Sequence, residues 1–300
     1  MATRVAYQGE SGAFGDEAAH ALVPGAATIG CATFDAAIDA LHDGRADAAL
    51  LPVENSISGP VPRAYELLWN DPRLTITAER VHRVVQHAIG LPGAGLSLLR
   101  EIRSHPVALE QCRRFLGAHP AIAVTVAADT AGAVREIVER GDAHVGAIAS
   151  ALAAERYGAK ILAPAIQDVP DNFTRFFLVQ RDAAPIDGAS RACVALSLAN
   201  RPGALYGALG SLAARNLDLR TIVSRPSLDE PFTYRFYCEI AEVSQADLHA
   251  ALRAHRRGDA RSRALLSGRH HARRSVILIC LTHFGKLGID AQLRDVAGKQ

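Results

Sequence analysis

A chain of 300 residues, 49% of them apolar, has material for about two domains with sizeable cores. Its net charge of +2 is too near neutral to favour nucleic-acid binding, and no apolar run approaches the ~20 residues a membrane helix needs. The five cysteines (Cys31, Cys112, Cys193, Cys238, Cys280) are scattered without a CxxC pair, and the twelve histidines show no HExxH spacing. Reduced thiols in a cytoplasmic protein are therefore expected, with no disulfide framework and no metal.

The N-terminus enters a strand-like pattern directly, with no signal-peptide apolar region ahead of it. "VAY" at 5–7 precedes a helical pattern, and Phe34, Ile38 and Leu41 mark one face of a second helix. "ADAALLPV" at 46–53 reads as a buried strand, "VPRAYELLW" as a helix, and 74–92 as extended. "ALEQCRRFLG" is helical to Gly117, "AIAVTVAA" is a strand, Asp129 caps "TAGAVREIVERG", and "HVGAIAS" is another strand. This alternation predicts an open α/β sheet of mostly parallel strands. "LHDGRADAALLPVEN" and "VERGDAHVGAIAS" both run helix, Gly, strand, polar end. Such a repeat suggests two lobes facing one cleft, with polar residues at the strands' carboxyl ends, where α/β sheets bind ligands.

"DAAPIDGASR" at 182–191 is a linker. Beyond it "ACVALSLA" is a strand. A helix with Leu205, Leu209 and Leu212 on one face follows, opened by Pro202 and Gly203 with Asn200 as its cap. "LDLRTIVSRP" is a strand. In "FTYRFYCEI", Phe232, Tyr234, Phe236, Cys238 and Ile240 alternate with Thr233, Arg235 and Glu239, the period of a half-buried antiparallel strand. "SQADLHAALRA" adds a helix capped by Ser244. The order βαββα needs one more strand to complete a ferredoxin-like sandwich. Residues 253–274 hold eight arginines without periodicity. Either "SVILICL" at 275–281 supplies the closing strand after a long loop, or the tail is partly disordered; the Arg content and missing period favour the second.

Four stretches carry more polar detail than packing requires. "YQGESGAFGDEAA" puts three glycines after a strand, where backbone can approach a ligand or simply turn tightly. "PVENSISGPV" places Glu54, Asn55 and Ser56 at the tip of a buried strand. "SHPVALEQC" offers Ser104, His105 and Gln111, although Ser104 can be a helix cap and His105 has no partner fixed by spacing. "DNFTRFFLVQ" offers Arg175, a forked cation suited to a carboxylate, and Thr174, a hydroxyl donor; the plainer role for Arg175 is an ion pair at a strand start.

Together with "DTAGAV" and "GAIASALAAERYG", these stretches resemble, in order, the motifs of the prephenate dehydratases, and "NRPGAL" and "SRP" resemble the family's ACT regulatory domain. The resemblance implies an α/β fold: a two-lobed, periplasmic-binding-protein-like catalytic domain (1–183), a ferredoxin-like (βαββαβ) ACT domain (190–254) and an atypical Arg-rich segment (255–300). It implies decarboxylative dehydration of prephenate to phenylpyruvate without a cofactor, because aromatisation drives the reaction. It implies inhibition by phenylalanine in a homodimer or homotetramer, and no nucleic-acid or membrane partner. Thr174 is then the catalytic residue. Glu54, Asn55, Ser56, Ser104, Gln111, Thr130, Asn172, Arg175 and Phe176 form the substrate site. Glu54 would repel a dianion if ionised and could be the acid if protonated by burial. Asn200, Pro202, Gly203, Ala204, Leu205, Ser224, Arg225 and Pro226 form the phenylalanine site. The chain departs from the family's pattern with Gly15 for Ser or Thr, Val107 for Gln and Val223 for Glu. The last of these bears on the phenylalanine response rather than on activity. Arogenate dehydration and a non-catalytic amino-acid sensor are the competing readings.

Overall fold

The buried run Val5, Ala6 and Tyr7 sets the plan of the N-terminal half by seeding a strand covered on both faces. The computed structural model describes residues 2–183, 191–198, 200–227, 232–241 and 247, and the backbone of 276–282. In chain order the first elements are β1 (Arg4–Gln8), α1 (Phe14–Leu22), β2 (Ala27–Cys31), α2 (Phe34–His42), β3 (Ala48–Asn55), β4 (Gly59–Pro60), α3 (Pro62–Asn70), β5 (Leu74–Arg83) and β6 (His87–Gly90). Next come β7 (Glu101–Ser104), α4 (Pro106–Glu110), α5 (Arg113–Gly117), β8 (Ala123–Val126), α6 (Thr130–Arg140), β9 (Val145–Ala149), α7 (Ala151–Arg156), β10 (Lys160–Ala163) and β11 (Phe173–Arg181). β12 (Arg191–Ser197), α8 (Ala204–Ala213), β13 (Asp218–Pro226), β14 (Tyr234–Ala241) and β15 (Val276–Thr282) complete the set.

The chain divides into two compact units, residues 1–61 with 80–178, and 62–79 with 179–300. The first unit is built on two sheets. One has the order β2-β1-β3-β11-β5 with β4 hydrogen-bonded to β3; β1 runs parallel to both β2 and β3. The other has the order β10-β6-β9-β7-β8, parallel across β9, β7 and β8 and antiparallel across β10, β6 and β9. The expected single run of parallel strands is thus two mixed sheets. The two similar helix–Gly–strand stretches fall one in each, α2–β3 in the first and α6–β9 in the second.

Local chemistry places these elements. Thr33 caps α2 by accepting from Ala36 N at 3.0 Å, and Asp129 caps α6 by accepting from Gly132 N at 2.7 Å. Gly44 (φ 70°) and Gly141 (φ 67°) leave α2 and α6 in the left-handed conformation that a Cβ disfavours. The helix expected through Gly117 is instead two short ones, α4 and α5. The carbonyl of Gln111 accepts from Asp168 N at 2.7 Å rather than continuing the helical ladder, and Cys112 leaves helical geometry at φ −120°, ψ 28°.

In the second unit the sheet order is β13-β14-β12-β15, antiparallel throughout, with α8 contributing Ala208 and Leu212 to a core with Val194, Leu196, Cys238 and Ile240. Gly203, not Asn200, stands at the N-cap of α8. β14 corrects the expectation of a half-buried strand: Tyr237, Cys238, Glu239 and Ile240 are all buried. Its polar face is covered by α3, where Tyr65 Oη donates to Glu239 at 2.8 Å and the Arg235 guanidinium lies 4.6 Å from the Trp69 ring centroid. At the N-terminal end of the alternating stretch Phe232 and Tyr234 are exposed. The backbone of β15 pairs antiparallel with β12. The helix expected at "SQADLHAALRA" and the remainder of 255–300 lie outside the described residues, apart from Asp247, which is helical.

Candidate active site

A chain of buried amides joins β3 to β11. Asn55 ends β3, and its Oδ1 accepts from Ile57 N, Ser58 N and Ser58 Oγ, each at 3.0 Å. Backbone N–H groups can only donate, so this fixes the orientation of the amide. Nδ2 therefore faces β11, where its two hydrogens are shared among three acceptors, Asn172 Oδ1 (2.7 Å), Thr174 Oγ1 (3.0 Å) and the Phe173 carbonyl (3.1 Å). Asn172 is fully buried and passes a hydrogen bond on to Gln111 Oε1 at 3.0 Å. Ser56 N donates to the Phe173 carbonyl (2.8 Å), and Phe173 N donates to Ser56 Oγ (3.0 Å). The loop after β3 and the start of β11 are thus one hydrogen-bonded body.

Beside this body lies a cleft of about 210 Å³. Tyr7 and Gln8 of β1, Leu50 and Pro52 of β3, and Thr174 and Phe176 of β11 line it from one sheet. His105 after β7, and Ala128, Asp129 and Thr130 after β8, line it from the other. Ala13, Phe14 and Gly15 complete the wall at the start of α1. Thr174 Oγ1 already accepts from Asn55, so its own proton is directed elsewhere and is available to a ligand. Phe176 is buried and meets the His82 ring edge-on, with centroids 6.5 Å apart.

The period of a strand separates Arg175 from its neighbours. Thr174 and Phe176 line the cleft; Arg175 does not. Its guanidinium pairs with Glu54 at 3.0 Å and lies 5.4 Å from the Phe177 ring centroid on the opposite face. Glu54 is likewise no part of the cleft wall. Ser104 is buried, and its Oγ donates to the Ile148 carbonyl at 2.6 Å, tying β7 to β9. The residue capping α4 is His105, whose Nδ1 accepts from Val107 N at 3.3 Å. Of the expected substrate residues, Thr174, Phe176 and Thr130 reach the cleft. Asn55, Ser56, Asn172 and Gln111 belong to the hydrogen-bonded network behind Thr174, while Glu54, Arg175 and Ser104 make other contacts.

Tyr7, Phe14, His105 and Asp129 are wall residues outside the expected site. The signal for them was positional: His105 and Asp129 follow the carboxyl ends of parallel strands β7 and β8. Burial raises the carboxyl of Asp129 above the ordinary carboxylate range, opposed by the N–H groups at the start of α6. Burial also raises the Tyr7 phenol, whose hydroxyl donates to the Glu10 carbonyl at 3.3 Å.

Contacts tie the two sheets together at one edge. Arg135 of α6 grips Glu10 with Nε and Nη2 at 2.7 and 3.0 Å, and this hydrogen bonding lowers the carboxyl of Glu10. Ser150 Oγ donates to the Gly12 carbonyl at 2.5 Å. A Cβ on Gly12 would stand 2.6 Å from Ala153 Cα, so that position requires glycine for close approach.

In the second unit Asn200, Pro202 and Gly203 are exposed ahead of α8, Ala204 is buried and Leu205 half-buried. Ser224 and Pro226 are exposed on β13, and Arg225 pairs with Glu66 at 3.2 Å. Val223 is buried, an apolar side chain where the resemblance leads one to expect Glu.

A hydroxyl-bearing cleft between two mixed sheets, with its hydroxyl held by a buried amide, is the architecture of an α/β protein with a site sized for a small molecule. Residues 5–184 match the family described as prephenate dehydratase. The chain is 37% identical to "Prephenate dehydratase" of Mycolicibacterium vanbaalenii, over 84% of this chain and 87% of that one. It is 39% identical to "Bifunctional N-acyl-homoserine lactone acylase/prephenate dehydratase" of Komagataeibacter europaeus, over 73% of this chain and 79% of that one. It is 37% identical to "Arogenate dehydratase/prephenate dehydratase 1, chloroplastic" of Arabidopsis thaliana, over 82% of this chain and 66% of that one, so it spans slightly less than two thirds of that relative's length. The crystal structure of prephenate dehydratase from Arthrobacter aurescens in complex with L-Phe superposes with a TM-score of 0.81 at 25% identity, over 99% of this chain and 97% of that one. The chain belongs to the prephenate dehydratase family.

Proposed function

We propose that this protein converts prephenate to phenylpyruvate, carbon dioxide and water, with Thr174 at the departing hydroxyl. The single observation that carries the role of Thr174 is that its oxygen accepts from Asn55, which frees its proton for the cleft. Loss of the ring carboxylate as carbon dioxide pushes an electron pair into the ring, and the hydroxyl leaves as the ring becomes aromatic. Hydroxide is a poor leaving group, so it must receive a proton. A threonine hydroxyl is a weak acid; it relays that proton or stabilises the developing charge by hydrogen bonding. Phe176 and Phe14 offer apolar wall for the ring, and Thr130 a second hydroxyl for its polar groups. The experiment is phenylpyruvate formation from prephenate by wild type and Thr174→Ala. Wild-type turnover with unimpaired Thr174→Ala removes Thr174 from the reaction.

Arogenate, which carries an amine in place of the side-chain ketone, is the second substrate reading, favoured by the plant relative's name. Parallel rates on the two compounds decide between them.

The same reading makes the second unit an ACT domain that binds phenylalanine. The antiparallel order β13-β14-β12-β15, with α8 between β12 and β13, supports a βαββαβ sandwich. The relative crystallised with L-Phe supports the effector. The glycine-capped turn into α8, from Asn200 to Leu205, would receive the effector's polar groups, and Ser224, Arg225 and Pro226 would complete the site. In this reading the two lobes form a periplasmic-binding-protein-like catalytic domain in a cytoplasmic homodimer or homotetramer. Among the described residues Cys31, Cys112, Cys193 and Cys238 are free thiols, and no helix is long and apolar enough to cross a membrane.

A further inference from the structure

We propose that His105 binds a carboxylate of the substrate in the cleft through its Nε2–H, an inference that rests on the dianionic substrate assigned above. Prephenate brings two negative charges, yet the described cleft wall holds no guanidinium or ammonium group; its side-chain donors are neutral, Gln8, Thr130, Thr174 and the imidazole of His105. Two nearby arginines are committed elsewhere. Arg175 pairs with Glu54 on the far face of β11, and Arg135 is held by Glu10 and Glu139. Asp129 presents a carboxylate, which accepts from Gly132 N and cannot donate while ionised. The Tyr7 hydroxyl donates to the Glu10 carbonyl.

The imidazole is held ready for this task. His105 sits in extended backbone (φ −61°, ψ 142°) between β7 and the Pro-opened α4, and its Nδ1 accepts from Val107 N at 3.3 Å. An acceptor at Nδ1 requires the neutral ring's proton to be on Nε2. The helix cap thereby selects the tautomer and restrains the ring, leaving a fixed donor on a residue that lines the cleft. Protonating Nδ1 would break the cap, so the neutral ring performs both tasks together.

Capping and substrate binding are separable by substitution. Asparagine caps a helix well but is too short to replace Nε2; glutamine carries an N–H at about the right reach. His105→Asn is expected to melt within about 2 °C of wild type. Its kcat/KM for prephenate is expected to fall about 10–100-fold, mainly through KM, as for a lost hydrogen bond to a charged group. His105→Gln is expected to recover part of that loss. Calorimetry with phenylpyruvate, which retains one carboxylate, gives a second readout in the full-length protein and is expected to show weaker binding by His105→Asn. Wild-type KM and wild-type phenylpyruvate affinity in His105→Asn overturn the proposal. So does a loss that tracks a lowered melting temperature in both variants, which assigns His105 to capping alone. If the wild-type protein makes no phenylpyruvate, the assigned reaction fails separately, and unchanged phenylpyruvate affinity in His105→Asn then decides against His105.

Discussion

The two faces of β11 hold residues that are adjacent in sequence but differ in purpose. On one face Thr174 and Phe176 line the cleft, with the Thr174 oxygen held by Asn55. On the other, Arg175 is occupied by Glu54 and the Phe177 ring. The most conspicuous cation of "TRF" is therefore held in an ion pair, and the modest hydroxyl beside it lines the cleft. Charge alone is a poor guide to a binding site, because a guanidinium beside a carboxylate is neutralised before any ligand arrives.

The largest effect expected is on the cleft face. Thr174→Ala should lower kcat by about 100–1000-fold, the ~2.7–4 kcal/mol of one transition-state hydrogen bond, with little change in melting temperature. Thr174→Ser should restore much of it, and stopped-flow or steady-state assays of phenylpyruvate read both. Asn55→Asp comes next. It keeps the acceptor facing Ile57 and Ser58 but loses the donor that orients Thr174. About 10–100-fold in kcat and ~1–3 kcal/mol of stability should go together, measured by kinetics and denaturant titration.

The back face should respond differently. Arg175→Met should cost about 1 kcal/mol of stability, since the pair is partly exposed, and should leave KM within about threefold of wild type. A tenfold rise in KM would mean that Arg175 turns into the cleft on binding, and the distinction between the faces would be lost. The smallest effect is expected at the edge joining the two sheets. Glu10 has its carboxyl lowered by Arg135, so its contribution is present above the ordinary glutamate value of about 4.3 and is lost as the pH falls through the lower folded value. Glu10→Gln should therefore melt slightly below wild type at pH 7, with the difference closing as the pH is taken below that lowered value. Solvent screening at this half-exposed pair limits the difference to under ~1 kcal/mol.

Interactions spanning a few residues were legible in the chain. Asp129 caps α6, and Gly44 and Gly141 end α2 and α6; alternation along "FTRFF", which puts Thr174 and Arg175 on opposite faces, is equally available, yet the family resemblance assigns both to one site. Each follows from backbone geometry and one nearby side chain. The sequence also identified the polar stretches whose order resembles a family, and hence the chemistry. Helix continuity was less legible: "ALEQCRRFLG" has the period of one helix, but a distant N–H from Asp168 captures the Gln111 carbonyl and divides it.

What the tertiary structure alone decided is which polar group meets which. Asn55 and Asn172, 117 residues apart, form a hydrogen bond that orients Thr174, and Ser104 spends its hydroxyl on Ile148 rather than on a ligand. His105 and Asp129 became cleft walls because two separate sheets bring their strand ends to one cavity. The polar face of β14 is buried because Tyr65 and Trp69, far upstream, cover it. Residue type and spacing determine what a group can do. Only the packing of distant segments determines which partner is within hydrogen-bonding distance and shielded from water, and that proximity selects among its possible roles.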